Sequence, residues 1–553
     1  MTERIHVGVA WPYANGPLHL GHIAGCYLPA DVFARYNRMV GNEVLMVSGS
    51  DQHGAPITIR AEKEHTTPGA VARKYHEQFL DCWKRLGISF DLFTTTGTAN
   101  HAEVTQDIFK TLLSKGHLYR DFVLQAYCPT CARFLPDRYV HGVCPNCGSA
   151  NARGDECEAC GKPLDPAELG NPRCSVCGGV PRFEKSEHFF LRLSSFQSQL
   201  ADWVAGMTHW RPNVIGATRR FLDEGLRDRA ITRDIDWGIP IPVEGFEKKR
   251  IYVWFEAVIG YLSATKEWAH LQGDDTLWER YWKQDAKIYN FIGKDNIFFH
   301  TLSWPATLLG YGGLNLPYDV PSNEFLNIQG QKLSTSRNWA VWVHEYLDKY
   351  DPDPLRYFLS AAMPETQDSD FSWDKFVRRN NDELVATYGN LAHRMLTFAH
   401  RHYDGSVPDP GDLDEKSQAL IAEAEKTLES VGDSLRRCSF KEGVRNAMAL
   451  AQSANRYVDE QAPWKVIKQS RQEAGRSVYT VLCVLSALST MLYPYLPFSS
   501  EKLHQGLGFA TGPAAQGWKL VRPAAGQALG EPRPLFVKLD EKVIEEETAR
   551  LGH

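Results

Sequence analysis

Residues Ile5 to Ala30, IHVGVAWPYANGPLHLGHIAGCYLPA, change character three times within 26 positions. Val7 to Ala10 is a short apolar run of buried-strand type, and Pro12, Asn15, Gly16 and Pro17 then break any regular repeat. A helical pattern follows, predicted to begin near Leu18. On such a helix His19 and His22 sit one turn apart on one face, at the positively polarised N-terminal end. Gly21 between them lets a ligand approach the backbone. Strand, turn and helix N-terminus together make an anion site, and two imidazoles there can donate hydrogen bonds to phosphate oxygens. A nucleotide is the expected ligand. A solvated helix face or half of a metal site shares this HxxH spacing, but the HExxH of a zincin is absent.

A chain of 553 residues exceeds one ordinary core, and its length predicts three or four domains. Hydrophobic residues at 43% and charged residues at 23% place it among globular proteins rather than disordered ones. A net charge of -6 argues against a cation-coated protein but leaves room for a nucleic-acid partner if Lys and Arg gather on one face. No secretory signal pattern precedes the first strand, so export is not expected and a cytoplasmic setting is. The most apolar stretch, Val478 to Phe498, is interrupted by Ser486, Ser489, Thr490, Pro494 and Pro497. It reads as a buried bundle helix, and no membrane partner is expected.

Asn42 to Ser50 (NEVLMVSGS) reads as a second buried strand ending in Asp51, Gln52, His53 and Gly54, with helical patterns from about Pro68 to Leu86 and His101 to Lys115. Polar residues at a strand's carboxyl end face the crevice of an open α/β sheet. Ile288 to His300 (IYNFIGKDNIFFH) repeats that plan: a buried strand meets Gly293, Lys294 and Asp295, a glycine for close approach and a carboxylate for ribose hydroxyls. Ile251 to Leu262 is an aromatic, apolar run suited to lining a pocket, although plain core packing is the commoner use of such a stripe. The loop NIQGQKLSTSRNW offers Lys332, Leu333, Ser334, Thr335, Ser336 and Arg337, a cation-and-hydroxyl segment able to close over phosphates. Beyond about Pro364 the pattern is almost wholly helical, which predicts a separate α-helical domain.

Between Tyr127 and Pro181 the texture shifts to short Gly- and Pro-rich segments carrying four C-x2-C pairs: Cys128/Cys131, Cys144/Cys147, Cys157/Cys160 and Cys174/Cys177. Eight thiolates suit two tetrahedral Zn2+ ions in closed, structural sites, and such cysteine use favours a reducing compartment. Sequential pairing and nested pairing, with the two middle pairs joined inside an outer set, both fit the loop lengths.

HLGH at 19 to 22 and KLSTS at 332 to 336 resemble the HIGH and KMSKS signatures of class I aminoacyl-tRNA synthetases. WPYANGPLHLGH, SDQHG, the cysteine knuckles, YVWFEAVIGY, FIGKDN and NRYVDEQAPW narrow the resemblance to the methionyl-tRNA synthetase family, over nearly the whole chain. The implied fold is α/β: a Rossmann-type parallel-sheet catalytic domain in two halves (1–115 and 235–330), an inserted zinc-knuckle connective domain (116–234), a KLSTS loop and stem-contact region (331–385), and a C-terminal α-helical bundle for the anticodon (386–553). The implied reaction joins L-methionine to ATP, giving methionyl-adenylate and pyrophosphate, then esterifies the 3′-terminal ribose of tRNA(Met), including the initiator. Mg2+ is implied with ATP, two structural Zn2+ ions with the knuckles, and a monomer as the working state.

The same resemblance assigns residues. His19, Gly21, His22 and Lys332 to Ser336 would hold the phosphates, with Arg233 reaching them or the substrate carboxylate, and Gly293, Lys294 and Asp295 on the adenosine side. Asp51 with the Tyr13 backbone would bind the α-ammonium, while Trp254, Ala257, Tyr261 and His300 would surround the thioether, a flexible and polarizable group suited to an aromatic-lined pocket. Asn390, Arg394, Pro463 and Trp464 match the anticodon-reading positions, where Trp464 would stack on an unpaired base; ordinary bundle core is the other use for that tryptophan. Three departures stand out. Thr335 occupies the position of the signature's second lysine, Val258 and Asn296 replace the commoner Pro and Ile near the methionine pocket, and Trp11 replaces Leu. Other class I synthetases are the nearest alternative, but the large editing domain of the leucyl and valyl enzymes is missing, and a cysteinyl enzyme would place a metal in its substrate pocket. A catalytically dead, zinc-containing RNA-binding protein is the alternative from another class, with Thr335 in its favour and intact HLGH, Asp51 and Asp295 against it.

Overall fold

Apolar strands buried on both faces need helices packed above and below them, which is the demand of a parallel sheet. In the computed structural model, which describes residues 2–154, 157, 159–160, 164–335 and 337–552, the first half of the chain meets it. Strand β1 (Arg4–Val9) is joined to β2 (Glu43–Ser50) by helix α1, which runs through Leu20–His22, a π-helical turn at Ile23–Tyr27, and Leu28–Met39. Helices α2 (Ala55–Lys63) and α3 (Pro68–Leu86) lead to β3 (Leu92–Thr95), and α4 (Ala99–Ser114) follows. The bounds of α3 follow from its ends. Thr67 Oγ1 accepts the Ala70 N–H at 3.3 Å, Pro68 fills a first-turn position whose N–H would lack a partner anyway, and Gly87 takes the left-handed turn at φ 70°.

A long antiparallel pair, β4 (Leu118–Cys128) and β5 (Arg182–Leu191), then carries the cysteine segment at its tip, in register from Leu118↔Leu191 to Tyr127↔Arg182. The aromatic run at 251–262 forms the start of helix α5 (Val253–Leu271). Strands β6 (Lys287–Gly293) and β7 (Ser322–Asn323) complete a five-stranded parallel sheet of order β7-β6-β1-β2-β3. His6 pairs with Ile288 on one side and with Leu45 on the other. The order reverses between β1 and β6, so the crevice outside their carboxyl ends is where such a sheet takes a ligand. HLGH leaves β1 and Gly293-Lys294-Asp295 leaves β6 at that point.

One expectation needs correction. The first helix begins at Leu20 rather than Leu18, because His19 is extended (φ −115°) and bridges the backbone of Trp342. The chain after Pro364 is almost wholly helical, as expected, with one short strand among the described residues. Strands β8 (Leu326–Ile328) and β9 (Gln331–Lys332) are followed by α6 (Val343–Leu347) and α7 (Pro352–Ala361), and then β10 (Ser369–Phe371) pairs in parallel with β8. This small sheet displays the KLSTS turn.

Helices α8 (Asn390–His402), α9 (Glu415–Arg436), α10 (Phe440–Gln461) and α11 (Arg471–Leu492) form the bundle. By length and composition α11 could cross a membrane, yet 89% of its most apolar window is buried inside the protein, as a central bundle helix requires. A final helix, α12 (Lys542–Thr548), returns to the catalytic side, where Lys349 and Tyr350 hold Glu547 at 2.8 and 3.0 Å.

Bundle and sheet share one apolar core and one buried ionic joint. Arg356 on α7 donates to Asp31 Oδ2 at 2.7 Å and to the carbonyls of Leu86, Pro494 and Tyr495 at 3.1, 2.9 and 2.7 Å. Burial opposes ionisation of Asp31, but Arg35, Arg356 and the Ser89 hydrogen bonds outweigh it and bring the carboxyl down to about 2. Removing one partner of such a set leaves a buried charge uncompensated. Arg356→Ala is therefore expected to cost about 3–5 kcal/mol in urea unfolding, and a loss below about 1 kcal/mol would show that the joint behaves like a surface ion pair.

Candidate active site

The two signature segments meet through their backbones. The Val343 N–H donates to Leu18 O at 2.9 Å and the Leu20 N–H to Val341 O at 3.2 Å, with His19 opposite Trp342 between them. A Cβ on Gly21 would lie 2.6 Å from Leu333 Cδ1, so a larger residue there would displace the Leu333 side chain. Together they border a cleft of about 1030 Å³ lined by Pro12, Tyr13, His19, His22 and Thr335. The His19 and His22 rings stack with centroids 3.8 Å apart. His22 Nδ1 accepts the His19 N–H at 3.1 Å, which puts the ring proton on Nε2. Burial lowers His22 to about 4, and burial with the neighbouring His22 lowers His19 as well, so both rings act as neutral donors rather than cations.

The lysines expected at the nucleotide point elsewhere. Lys294 Nζ lies 2.8 Å from Glu324 and 2.9 Å from Asp368, and Lys332 Nζ sits 5.0 Å from the Phe325 ring. Both flank Asp295, whose carboxyl is raised by burial while Lys332 and Lys294 pull it back. Gly293 leaves open space beside this group, with nothing within 4 Å of a Cβ built there. Ser334 closes a tight turn with Trp339, N–H to O at 3.1 and 2.9 Å, and Ser336 lies outside the described residues.

Next to Tyr13 is a group of buried acidic, histidine and aromatic side chains. The Tyr13–Asp51 backbone bridge is held by Ala14 N–H to Asp51 O and Asp51 N–H to Pro12 O, both 2.8 Å. Asp51 Oδ1 accepts the His53 N–H at 3.2 Å, and the carboxyl is pushed well above the usual carboxylate range by burial and then by Glu256. Glu256, itself fully buried, pairs with His53 Nδ1 at 2.8 Å. Trp254 stands edge-on to Tyr13 at 5.9 Å and stacks on Phe299 at 4.8 Å. Tyr261 O–H donates to His300 Nε2 at 2.7 Å, and His300 Nδ1–H donates to Asn296 O at 2.9 Å. That chain fixes the tautomer, and burial holds His300 neutral, down to about 4. Ala257 is half-buried and Val258 buried on the same helix. Arg233 stacks 3.8 Å over Tyr252 and lines a recess of about 170 Å³ with Tyr13 and Trp254, its Nη1 donating to Ala230 O and Thr232 O.

A family model for tRNA synthetases class I (M) matches residues 5–396, and one for the anticodon binding domain of methionyl tRNA ligase matches residues 407–553. The chain belongs to the methionyl-tRNA synthetase family. It is 58% identical over 559 residues to the methionine–tRNA ligase of Dehalococcoides mccartyi and 50% identical over 579 residues to that of Thermomicrobium roseum, covering at least 99% of each. Among solved structures it resembles Mycobacterium tuberculosis methionyl-tRNA synthetase in complex with methionyl-adenylate, with a TM-score of 0.81 and 28% identity over 97% of this chain and 100% of that one. The apo form of the same enzyme gives a TM-score of 0.75. The synthetase ligates methionine to tRNA in the two class I steps, ATP-dependent adenylate formation followed by transfer to the terminal ribose.

The synthetase's cysteines resolve the pairing left open by spacing. Cys128, Cys131, Cys174 and Cys177 converge in one group and Cys144, Cys147, Cys157 and Cys160 in another, the nested arrangement. All twelve cysteines are free thiols. Sulfur separations of 3.4, 3.6 and 3.9 Å match the edge, about 3.8 Å, of a tetrahedron with Zn–S bonds of 2.3 Å. In the bundle, Arg394 lies 5.2 Å over the Trp464 ring and 3.6 Å from Asp459. Trp464 is 39% exposed, beside the buried Pro463, and Asn390 is exposed, so this tryptophan is not bundle core.

Sequence reasoning missed how Trp11 is accommodated. A Cβ on Gly49 would lie 2.2 Å from its ring and one on Gly260 2.6 Å, so two glycines make room for the tryptophan. Gly260→Ala should destabilise the synthetase by about 1–3 kcal/mol of overpacking, despite a gain of about 1 kcal/mol in helix propensity. Adding Trp11→Leu should restore much of the loss in denaturant melts. A double variant no more stable than Gly260→Ala alone would show that Trp11 is not what the glycine accommodates.

Proposed function

We propose that the cleft between His19, His22 and Thr335 holds the triphosphate of ATP, and that the Asp51 pocket beside Tyr13 holds methionine. What supports this reading is a single arrangement: two segments far apart in sequence, hydrogen-bonded side by side, border one cleft lined in part by Tyr13, which also borders the recess of Trp254 and Arg233 and is bridged through its backbone to Asp51. Asp51 and the Tyr13 backbone take the α-ammonium in a charge-assisted pair. Trp254, Ala257, Val258, Trp11, Asn296 and the Tyr261–His300 pair enclose the thioether. Gly293 and Asp295 take the ribose, with Lys294 fixing Asp368 and Glu324 behind them. Lys332, Leu333, Ser334 and Ser336 form the loop over the phosphates, and Arg233 reaches from the rim toward the carboxylate. No side chain forms a covalent intermediate. The methionine carboxylate attacks the α-phosphorus, pyrophosphate leaves, and the protein contributes position and hydrogen bonds to the developing charge. The adenylate complex of the Mycobacterium tuberculosis relative supports this order of events.

The same reading divides the chain into catalytic halves at 1–115 and 235–330, a knuckle insertion at 116–234, a loop and stem-contact region at 331–385, and an anticodon-binding bundle at 386–553. Mg2+ accompanies ATP. The two cysteine groups hold one Zn2+ each, a structural charge that lets a loop-rich segment fold without a large core. The tRNA is tRNA(Met), initiator included, read through Trp464 stacking with Asn390 and Arg394 on base edges. A monomer working in the cytoplasm completes the proposal.

Amino-acid-dependent ATP–pyrophosphate exchange tests the substrate: methionine alone is expected to support it, and exchange driven equally by another amino acid overturns the assignment. Asp51→Ala should abolish exchange. Because Asp51 must be ionised to pair with an ammonium and its carboxyl is held high, methionine KM should rise on acidification at a pH where an ordinary carboxylate is still charged. A methionine KM flat down to the normal carboxylate range would remove Asp51 from the ammonium site. Trp464→Ala is expected to weaken tRNA charging at least 10-fold, the loss of one stacked base, while sparing exchange; equal loss of both would place it in the fold instead. Metal analysis should return two Zn2+ per chain, and Cys144→Ser one.

A further inference from the structure

The two walls of the phosphate cleft differ in charge. On the KLSTS side the lining residues are Thr335, Asn338, Trp342, His344 and Glu345, with no lysine or arginine among them. Lys332 faces Phe325 and Asp295 instead, and Arg337 is exposed outside the lining. His19 and His22 are neutral. Every lysine and arginine lining the cleft among the described residues comes from outside the KLSTS segment: Arg60 and Lys63 on α2, Lys74 on α3, and Arg138 and Arg153 from the knuckle segment. Five cations face a single lining carboxylate, Glu345.

Helix geometry puts them there. Pro56, Ile59, Arg60 and Lys63 recur every three or four residues along α2, so one face of it forms the wall, and Lys74, Tyr75, Gln78 and Phe79 do the same on α3. The wall is braced from behind, since Arg133 of the knuckle segment holds Glu62 at 3.1 Å. Its cations are not equivalent. Arg60 is spent on Glu64 and on the Tyr75 hydroxyl at 3.0 Å. Lys74 Nζ rides 5.2 Å over the Tyr75 ring, is 62% exposed and is only loosely paired with Glu64 at 3.9 Å. Lys63, the last residue of α2, is exposed.

We propose that Lys63 and Lys74 supply the cationic contacts to the β- and γ-phosphates of ATP, and to pyrophosphate as it leaves, in place of the lysine that Thr335 does not provide. The proposal rests on reading the HLGH–KLSTS cleft as the triphosphate site. Its chemistry is charge balance. As the bond from the α-phosphorus to the α,β-bridging oxygen breaks, its electron pair goes to pyrophosphate, and a cleft whose imidazoles are neutral needs cations to stabilise that charge. Lysine suits the role as a compact charge on a long stem that follows a departing anion.

The test is ATP–pyrophosphate exchange by Lys63→Met, Lys74→Met and the double variant, with His22→Ala and Thr335→Lys made alongside. The double variant should raise KM for ATP and for pyrophosphate about 10-fold, as expected for losing partly exposed charged hydrogen bonds, with methionine KM within about 2-fold and the effect shrinking as salt rises. Thr335→Lys in that background should recover most of the loss, because it returns the cation to the other wall. An unchanged ATP KM, a rise confined to the tRNA KM of the charging reaction, or no recovery by Thr335→Lys overturns the proposal. Loss of exchange in His22→Ala keeps the cleft reading intact whichever way the lysines behave, whereas a fully active His22→Ala would remove the cleft reading itself.

Discussion

A pair of backbone hydrogen bonds, Val343 N–H to Leu18 O and Leu20 N–H to Val341 O, is the constraint on which the active site depends. Everything upstream delivers the first segment to this point: β1 sits at the centre of the sheet, its order reverses toward β6, and the chain leaving β1 must cross the crevice before starting α1. Everything downstream delivers the second: β8 and β10 pair in parallel and hold the turn between β9 and α6 against that crevice. Backbone pairing is indifferent to side-chain identity, so the loop keeps its seat whatever residue stands at Thr335.

Electrostatics in the site follow from burial more than from formal charge. Two histidines at a helix N-terminus suggest cations, but desolvation keeps both neutral and one ring proton is fixed by a backbone donor. They become directional hydrogen-bond donors that need no reorganisation to meet phosphate oxygens. The Asp51 side has the opposite problem. Asp51 and Glu256 are both buried, Glu256 adds to Asp51's resistance to ionisation, and His53 pairs with Glu256 through its ring while donating only its backbone N–H to Asp51. An ammonium group is the chemistry such a site is short of.

Strands β1, β2 and β6, the α3 and α4 helices and the cysteine knuckles were legible because each carries a local signal: two-faced apolar runs, caps at Thr67 and Gly87, and turn-bounded C-x2-C pairs. The pairing of those cysteines was not, since loop length fits two solutions and only the β4–β5 hairpin brings the outer pairs together. The start of α1 was missed by two residues because a tertiary bridge to Trp342 keeps His19 extended, which no local pattern encodes. Nothing near Lys294 in sequence shows that Glu324 and Asp368 pair with it, or that Lys332 comes beside Phe325 and Asp295, because those contacts are distant in the chain. The glycines at 49 and 260 had no visible purpose until Trp11 was seen between them. The cationic wall was written in the three- and four-residue spacing of α2, but only the fold shows which way that face points.

The central claim is that HLGH and the KLSTS turn close on one triphosphate. A crystal structure of the synthetase with methionine and a non-hydrolysable ATP analogue measures this directly. The account predicts phosphate oxygens within hydrogen-bond reach of His22 Nε2 and of the turn that contains Thr335, with the methionine ammonium on Asp51. A triphosphate bound outside that cleft, touching one segment and not the other, would contradict it.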